Sequence, residues 1–334
     1  MAVGNVLEVS NLATYFETRA GTVKAVDGVS FAVGRGEVLG LVGESGSGKS
    51  VTGCAIMGLV DPPGRIVSGS IKLGGKELVG LDDQGMRAIR GKEISMIFQD
   101  PMMTLNPVLR IDTQMIEAID AHEKTSKKAA LARAQQALEK VGIPAAADRL
   151  KAYPHQFSGG MRQRVAIAIA LLNNPSLIIA DEPTTALDVT IQSQILAKMQ
   201  ELCADSGTAL IWITHDLTVV AGLAHRVAVM YAGRLVETGF VDDVLDHPLH
   251  PYTRGLLRSL PSEGIPGQPL EQIPGMTPSL GRLPPGCAFA PRCRNATEIC
   301  HRSSPEGTVF PNQRLARCHH PFDSVAQPVG LTER

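Results

Sequence analysis

The sequence carries almost no net charge, −1 over 334 residues with 32 basic and 33 acidic side chains, and only 19% of its residues are charged. That balance excludes an acidic disordered chain and a chain-wide basic field of the kind that binds nucleic acid by charge alone. Long hydrophobic runs are missing as well. The longest, Val165–Leu172 in VAIAIALL, falls far short of the roughly 18 residues that a membrane span requires. The opening MAVGNVLEVSNLATYF has neither the basic start nor the apolar stretch of a secretory signal, so the expectation is a protein that works on the cytoplasmic side and reaches a membrane only through partners. No internal repeat and no low-complexity tract is present. What remains, 44% apolar residues in a chain of this length, is enough for a full core with room for a large domain and an appendage.

The pattern along the chain predicts an α/β fold. Up to about residue 105, short apolar segments alternate with Gly-containing turns (VLEVSNL, AVDGVSFAV, EVLGLVG, SGSIKLGG, EISMIFQ), which reads as strands. The stretch DTQMIEAIDAHEKTSKKAALARAQQALEKVG then has helical spacing and good helix formers, and is expected to be a helical insertion. Strand-like segments return in SLIIADEP, TALIWITHD, HRVAVMYAG and RLVETG, separated by helical patterns, as in a mostly parallel sheet with crossover helices. Beyond about Arg258 the chain turns Pro- and Gly-rich, which reads as a linker or a small irregular module. The expected division is a large α/β domain over 1–258, with a helical subdomain at about 105–172, and an extension over 259–334.

The strongest chemical signal is EVLGLVGESGSGKSVTG, a strand running into the spacing G-x-x-x-x-G-K-[ST] and then into a helical segment. Backbone at Gly43, Glu44, Ser45, Gly46, Ser47 and Gly48 is expected to wrap nucleotide phosphates, with Lys49 on the β- and γ-phosphates, Ser50 on Mg²⁺ and Val51 closing the contact. In SLIIADEPTTALD a short buried strand ends in Asp181 and Glu182. An acid in that place of a P-loop nucleoside triphosphatase holds Mg²⁺, which assigns Asp181, and Glu182 can polarise the attacking water as a general base. TALIWITHD repeats the geometry at His215, and EISMIFQD at Gln99, which could order a water or a metal ligand. Ligands in open parallel sheets bind at the carboxyl ends of strands, where Gly43, Asp181 and His215 are all expected. Another anion motif, FSGGMRQR, places Ser158, Gly159 and Gly160 at a helix N-terminus.

GESGSGKS, FQDP, FSGG, ADEP, TALD and ITHD stand in an order and spacing that resembles the nucleotide-binding subunits of ABC transporters. The resemblance implies a RecA-like core with an N-terminal antiparallel β portion and a helical subdomain, binding ATP with Mg²⁺. It implies that Ser158 and its glycines cap the γ-phosphate held by the P-loop of a second, facing ATPase subunit, a related chain in this family. It makes Gln99 the Q-loop residue and a Mg²⁺ contact, His215 the switch histidine, Asp188 the acid of the dimer interface and Phe16, with Tyr15 close behind, the ring stacked on adenine. The sequence departs from Leu-Ser-Gly-Gly-Gln at Phe157 and Met161. A soluble ABC ATPase acting on DNA or ribosomes is the rival reading, but neither a long coiled-coil insertion nor a second cassette is present.

Cysteine is sparse and unevenly used: Cys54 and Cys203 lie on helical segments and read as small buried hydrophobes, while Cys287, Cys293, Cys300 and Cys318 crowd the end of the chain. In a reducing compartment disulfides are not expected. Four thiols in a module with little evident core suggest a metal staple, and both zinc and an iron–sulfur cluster accept four cysteines. The elements HPYTRGLLRSLP, IPGMTPSL and CAFAPRC resemble the C-terminal extension of oligopeptide and dipeptide importer ATPases, the branch that also serves nickel and glutathione uptake. That resemblance implies a [4Fe–4S] cluster on the four cysteines, two transmembrane permease subunits and an extracytoplasmic substrate-binding protein as partners, no nucleic acid, and a peripheral position on the cytoplasmic face of the inner membrane. A redox-sensing role for the cysteine module is the remaining alternative.

Overall fold

The computed structural model describes residues 4–100, 104–185, 187–261 and 271–322. Pro101 and Ala186 of the motifs above, and parts of the 259–334 extension, lie outside the described residues. The strands are β1 (Asn5–Thr18), β2 (Gly21–Gly34), β3 (Val38–Val42), β4 (Gly64–Leu73), β5 (Lys76–Glu77) and β6 (Ile94–Ile97). They continue with β7 (Leu177–Asp181), β8 (Ala209–Thr214), β9 (Arg226–Tyr231), β10 (Arg234–Phe240), β11 (Thr308–Phe310) and β12 (Arg314–Ala316). The chain divides into two compact units. One takes Ala32–Glu37, Lys72–Trp212 and the start of the chain up to Leu7; the other takes Glu8–Phe31, Val38–Ile71 and the chain from Ile213 onward.

In the first unit the strands lie in the order β8-β7-β6, and β6 runs parallel to β7 with Ile94 opposite Leu177 and Ile97 opposite Ala180. Every residue of β6 and β7 is buried, the condition under which parallel strands read as unbroken apolar runs. The expected helical insertion is two helices, Ile111–Asp120 and Lys127–Lys140. Ser126 makes the break: its side chain accepts a hydrogen bond from the Ala129 N–H at 3.3 Å and starts the second helix anew. Ile111, Met115 and Ile119 on one helix and Ala130, Ala134 and Leu138 on the next are buried, each set at the i, i+4 spacing of one helix face. The helix Gly159–Leu171 meets the helix Val189–Ser206 where a Cβ on Gly160 would stand 2.8 Å from Ile191, so this glycine is required for close helix approach.

The second unit carries the order β11-β12-β10-β9-β3. β3 pairs parallel with β9, and antiparallel pairing follows from β9 to β10, from β10 to β12 and from β12 to β11. Beside these, β2, β1 and β4 are neighbours in that order. The core gathers Val42, Val220, Val227 and Val229 with Tyr231, Tyr252 and Phe289. The three rings pack on one another with centroids 4.6–5.4 Å apart in tilted and edge-on arrangements.

This packing corrects the reading of the cysteine-rich segment. The described part of the extension does not lack a core: it inserts Phe289 among the tyrosines and adds β11 and β12 to the sheet edge. Cys287, Cys293, Cys300 and Cys318 are all free and border a small cavity with His250, His319 and His320. Yet among the described residues no group of three or more His, Cys, Asp or Glu side chains is placed to hold a metal ion. Burial raises the thiols of Cys287 and Cys293, and pushes Cys318 up to about 11. The metal-binding and iron–sulfur expectation is therefore withdrawn. Cys203 is buried as expected, with its thiol pushed up to about 11, and Cys54 is half-buried.

His250 starts the helix Pro251–Arg258 by accepting the Tyr252 N–H on Nδ1 at 3.0 Å. Complete burial pushes its pKa down to about 4, below the ordinary value of 6.5. The unfolded chain therefore binds a proton at this residue between those values while the folded chain does not, so stability is whole above pH 6.5 and falls as the pH drops toward 4. The slope is about 1.4 kcal/mol per pH unit from this one group. Urea midpoints at pH 7 and pH 5 measure it; His250→Asn, which keeps a capping oxygen, should remove that part of the pH dependence.

Candidate functional site

In the second unit, β3 ends at Val42 and the loop Gly43–Gly48 leads into the helix Lys49–Ile56. Two glycines are dictated by backbone contact. A Cβ on Gly43 (φ +154) would stand 2.2 Å from the Met230 carbonyl oxygen, and one on Gly48 (φ +106) 2.2 Å from that of Ala25. Gly48 caps the helix with no side-chain acceptor, and the first turn has no acidic residue. Ser47 Oγ is buried without a hydrogen-bond partner, and the buried Lys49 Nζ donates to the carbonyls of Gly43 at 2.8 Å and Glu44 at 3.0 Å. A helix start without a side-chain cap, an orphaned buried hydroxyl and a gathered ammonium are what a phosphate chain would satisfy, so the loop fits nucleotide phosphates.

The flanks of the loop are occupied in a way the sequence did not suggest. Glu44 donates its N–H to Tyr252 Oη at 2.9 Å, and its carboxylate takes both arms of the Arg292 guanidinium, at 2.7 and 3.0 Å. Burial alone would raise the Glu44 carboxyl, but the hydrogen bonds of Arg292 and Thr277 outweigh it and hold the group below the ordinary carboxylate range. Ser45, Gly46 and Ser50 are exposed and Val51 is half-buried. Phe16 and Tyr15, both half-buried on β1, differ in their neighbours: the Phe16 ring lies against Gly64, while Tyr15 donates to Asp27 at 2.6 Å. His215 is exposed just past β8, and the next residue, Asp216, caps the helix Leu217–Leu223 by accepting the Thr218 N–H at 2.8 Å.

The first unit holds the acids. Because β6 and β7 are parallel neighbours, their ends bring Gln99 beside Glu182, and Gln99 Nε2 donates to Glu182 Oε2 at 3.4 Å. Thr185 Oγ1 donates to the same oxygen at 3.0 Å. The sequence reading missed Thr185; its place three residues after Glu182 in the turn of ADEPTT is the signal that would have found it. Glu182 sits at φ +44, a left-handed conformation costly for a residue with a side chain and common where chemistry demands one direction. Asp181, the last residue of β7, is buried. Ser158 and Asp188 are both exposed helix caps, accepting the N–H groups of Met161 at 3.3 Å and Ile191 at 3.0 Å. Phe157 is buried under the Arg149 guanidinium, 5.8 Å from its ring centroid, which accounts for an aromatic at this position.

Comparison with known proteins gives consistent matches. Residues 26–185 match the ABC transporter family, and residues 236–300 match the C-terminal region of oligopeptide/dipeptide transporters. The chain is 50% identical over 317 residues to the oligopeptide transport ATP-binding protein AppD of Bacillus subtilis, covering 95% of this chain and 97% of that protein. It is 54% identical over 305 residues to OppD of the same organism, an oligopeptide transport ATP-binding protein, covering 91% and 85%. Among solved structures, the dimeric post-hydrolysis state of the ATP-binding cassette MJ0796 bound to ADP and Pi superposes with a TM-score of 0.64 at 27% identity, over 70% of this chain and 98% of that one.

Proposed function

The chain belongs to the ATP-binding subunits of ABC transporters, in the group that carries the oligopeptide/dipeptide C-terminal region, and from that premise we propose that this ABC ATPase drives the import of di- and oligopeptides. The observation that carries the substrate class is the likeness, at about half of all positions and nearly end to end, to proteins named for peptide transport. No helix among the described residues is long and apolar enough to cross a membrane. The partners proposed are two transmembrane permease subunits, an extracytoplasmic binding protein and a second, related ATPase subunit, with this chain at the cytoplasmic face. The working division remains an ATPase domain over 1–258, with its helical subdomain at about 105–172, and an extension over 259–334.

In this reading Lys49 and the backbone of Gly43–Gly48 bind the triphosphate; Ser50, Asp181 and Gln99 are the residues that would hold Mg²⁺, which would screen the phosphate charge when bound. Glu182, oriented by Gln99 and Thr185, accepts a proton from water as its oxygen bonds the γ-phosphorus and ADP leaves with the bridging oxygen. His215 contacts the γ-phosphate, Phe16 or Tyr15 the adenine and Asp188 the facing subunit. Ser158, exposed at its helix start, serves the nucleotide of that subunit. The active site is thus shared. Replacing Ser158 with Arg, in one subunit of a mixed pair whose own P-loop is intact, should cut hydrolysis at the partner's nucleotide by at least about tenfold, since it removes the hydroxyl that caps the helix and puts a bulky side chain where the γ-phosphate would approach. Equal loss at both nucleotides would remove this assignment. The substrate is tested by purifying the membrane assembly and identifying what its binding protein carries. Peptides support the proposal; nickel, glutathione or a nucleic acid in their place would replace it.

A further inference from the structure

Three elements of the C-terminal half end on a single residue of the phosphate loop. The element HPY supplies Tyr252, fully buried, whose hydroxyl accepts the Glu44 N–H at 2.9 Å. The segment IPGMT supplies the Thr277 hydroxyl, which donates to Glu44 Oε2. The segment APR supplies Arg292, 7% exposed, whose Nη1 and Nη2 form a bidentate pair with Glu44 at 2.7 and 3.0 Å. Arg292 is itself fixed: Nε donates to the Pro274 carbonyl at 2.9 Å, Nη1 reaches Tyr231 Oη at 3.3 Å, and the guanidinium lies 5.9 Å from the Tyr231 ring centroid. The clamped residue is central to the loop, because the Glu44 carbonyl accepts from Lys49 Nζ at 3.0 Å and from the Ser47 N–H at 3.2 Å.

We propose that Arg292, with Thr277 and Tyr252, is a positioning residue for ATP: the extension clamps Glu44, fixes the carbonyl on which Lys49 rests and cancels a negative charge beside the phosphates. A bare carboxylate in the loop would repel the triphosphate, and a rigid guanidinium fork both neutralises it and fixes its direction. The extension is then part of the nucleotide site, which gives HPY, IPG and APR a common purpose. The proposal rests on the reading of Gly43–Ser50 as the phosphate loop.

The test is Mg-ATP affinity of the full-length chain, measured by displacement of a fluorescent ATP analogue, with urea midpoints run in parallel. Arg292→Gln should weaken ATP on the order of tenfold by leaving Glu44 uncompensated, and the deficit should shrink at high salt. The double variant Glu44→Gln with Arg292→Gln removes both charges and should return to within about threefold of the parent affinity. A merely structural Arg292 would lower the urea midpoint without this rescue. Unchanged ATP affinity in Arg292→Gln, or a double variant no better than the single, overturns the inference. Should Arg292→Gln fail to fold, Arg292→Lys decides: it keeps the charge but loses the fork, and full affinity in that variant overturns fixation by the fork. Lys49→Ala is the control, because undiminished ATP binding there would instead overturn the phosphate-loop reading.

Discussion

A Glu182→Gln chain assembled with its partner subunit is expected to bind ATP with unchanged affinity and to hydrolyse it more slowly by a factor on the order of 10²–10⁴, the range of general-base contributions. The amide has the shape of the carboxylate and can still accept from Thr185 Oγ1 and Gln99 Nε2 through its remaining oxygen, so the local hydrogen bonds survive. It has no basic site for the proton of water. The left-handed backbone at Glu182 is set by the turn after β7, and Gln tolerates it no worse than Glu, which separates loss of chemistry from loss of structure. ATP should accumulate unhydrolysed, and size exclusion with ATP and Mg²⁺ should show a long-lived closed pair of ATPase subunits. Single-turnover hydrolysis within about tenfold of the parent rate would remove Glu182 as the base. Thr185→Val should give a smaller loss, because it loosens the carboxylate without deleting it.

Glu237→Ala is expected to lower stability by about 3–5 kcal/mol, the cost of breaking a buried ion pair from one side. Glu237 is wholly buried on β10 and Arg314, on β12, is 5% exposed; Arg314 Nη2 donates to Glu237 Oε1 at 2.9 Å. The carboxylate also accepts the N–H groups of Leu249 at 2.8 Å and His250 at 2.9 Å, just before the helix that carries Tyr252. Burial raises the pKa of Glu237, and these three donors oppose that rise. Truncation strands a buried guanidinium and two buried N–H groups at once, each with its own desolvation cost. Urea unfolding measures the loss. Replacing Glu237 and Arg314 together by apolar residues of similar volume should recover the part due to the stranded guanidinium, while the N–H groups of Leu249 and His250 stay unpaired; a single variant within about 1 kcal/mol of the parent would show that the pair is not a structural lock.

What the two variants probe was legible in the sequence to different degrees. Glu182, Asp181, Gln99 and Lys49 could be proposed in one dimension because each lies at or beyond the end of a fully buried, mostly apolar strand. The chemistry of the phosphate loop is local for the same reason: backbone N–H groups, glycines and a lysine act within eight residues of chain. Thr185 was nearly as legible, being three residues from the carboxylate that it orients. Glu237, by contrast, reads as one more charged residue in RLVETG, and nothing in that string says that it is buried.

The sequence by itself therefore determined the α/β class and the ABC family with its ATPase activity, since these rest on short motifs and apolar runs that are each local along the chain. Tertiary structure decided which distant groups share an environment. It placed Arg292 on Glu44 across 248 positions, seated Phe289 against Tyr231 and Tyr252, and joined Glu237 to Arg314. It also decided against the metal staple. Spacing can suggest four ligands, but only packing fixes whether they come together in a group placed to hold a metal ion. Here the segment is held by a borrowed aromatic core and by a guanidinium fork on the phosphate loop.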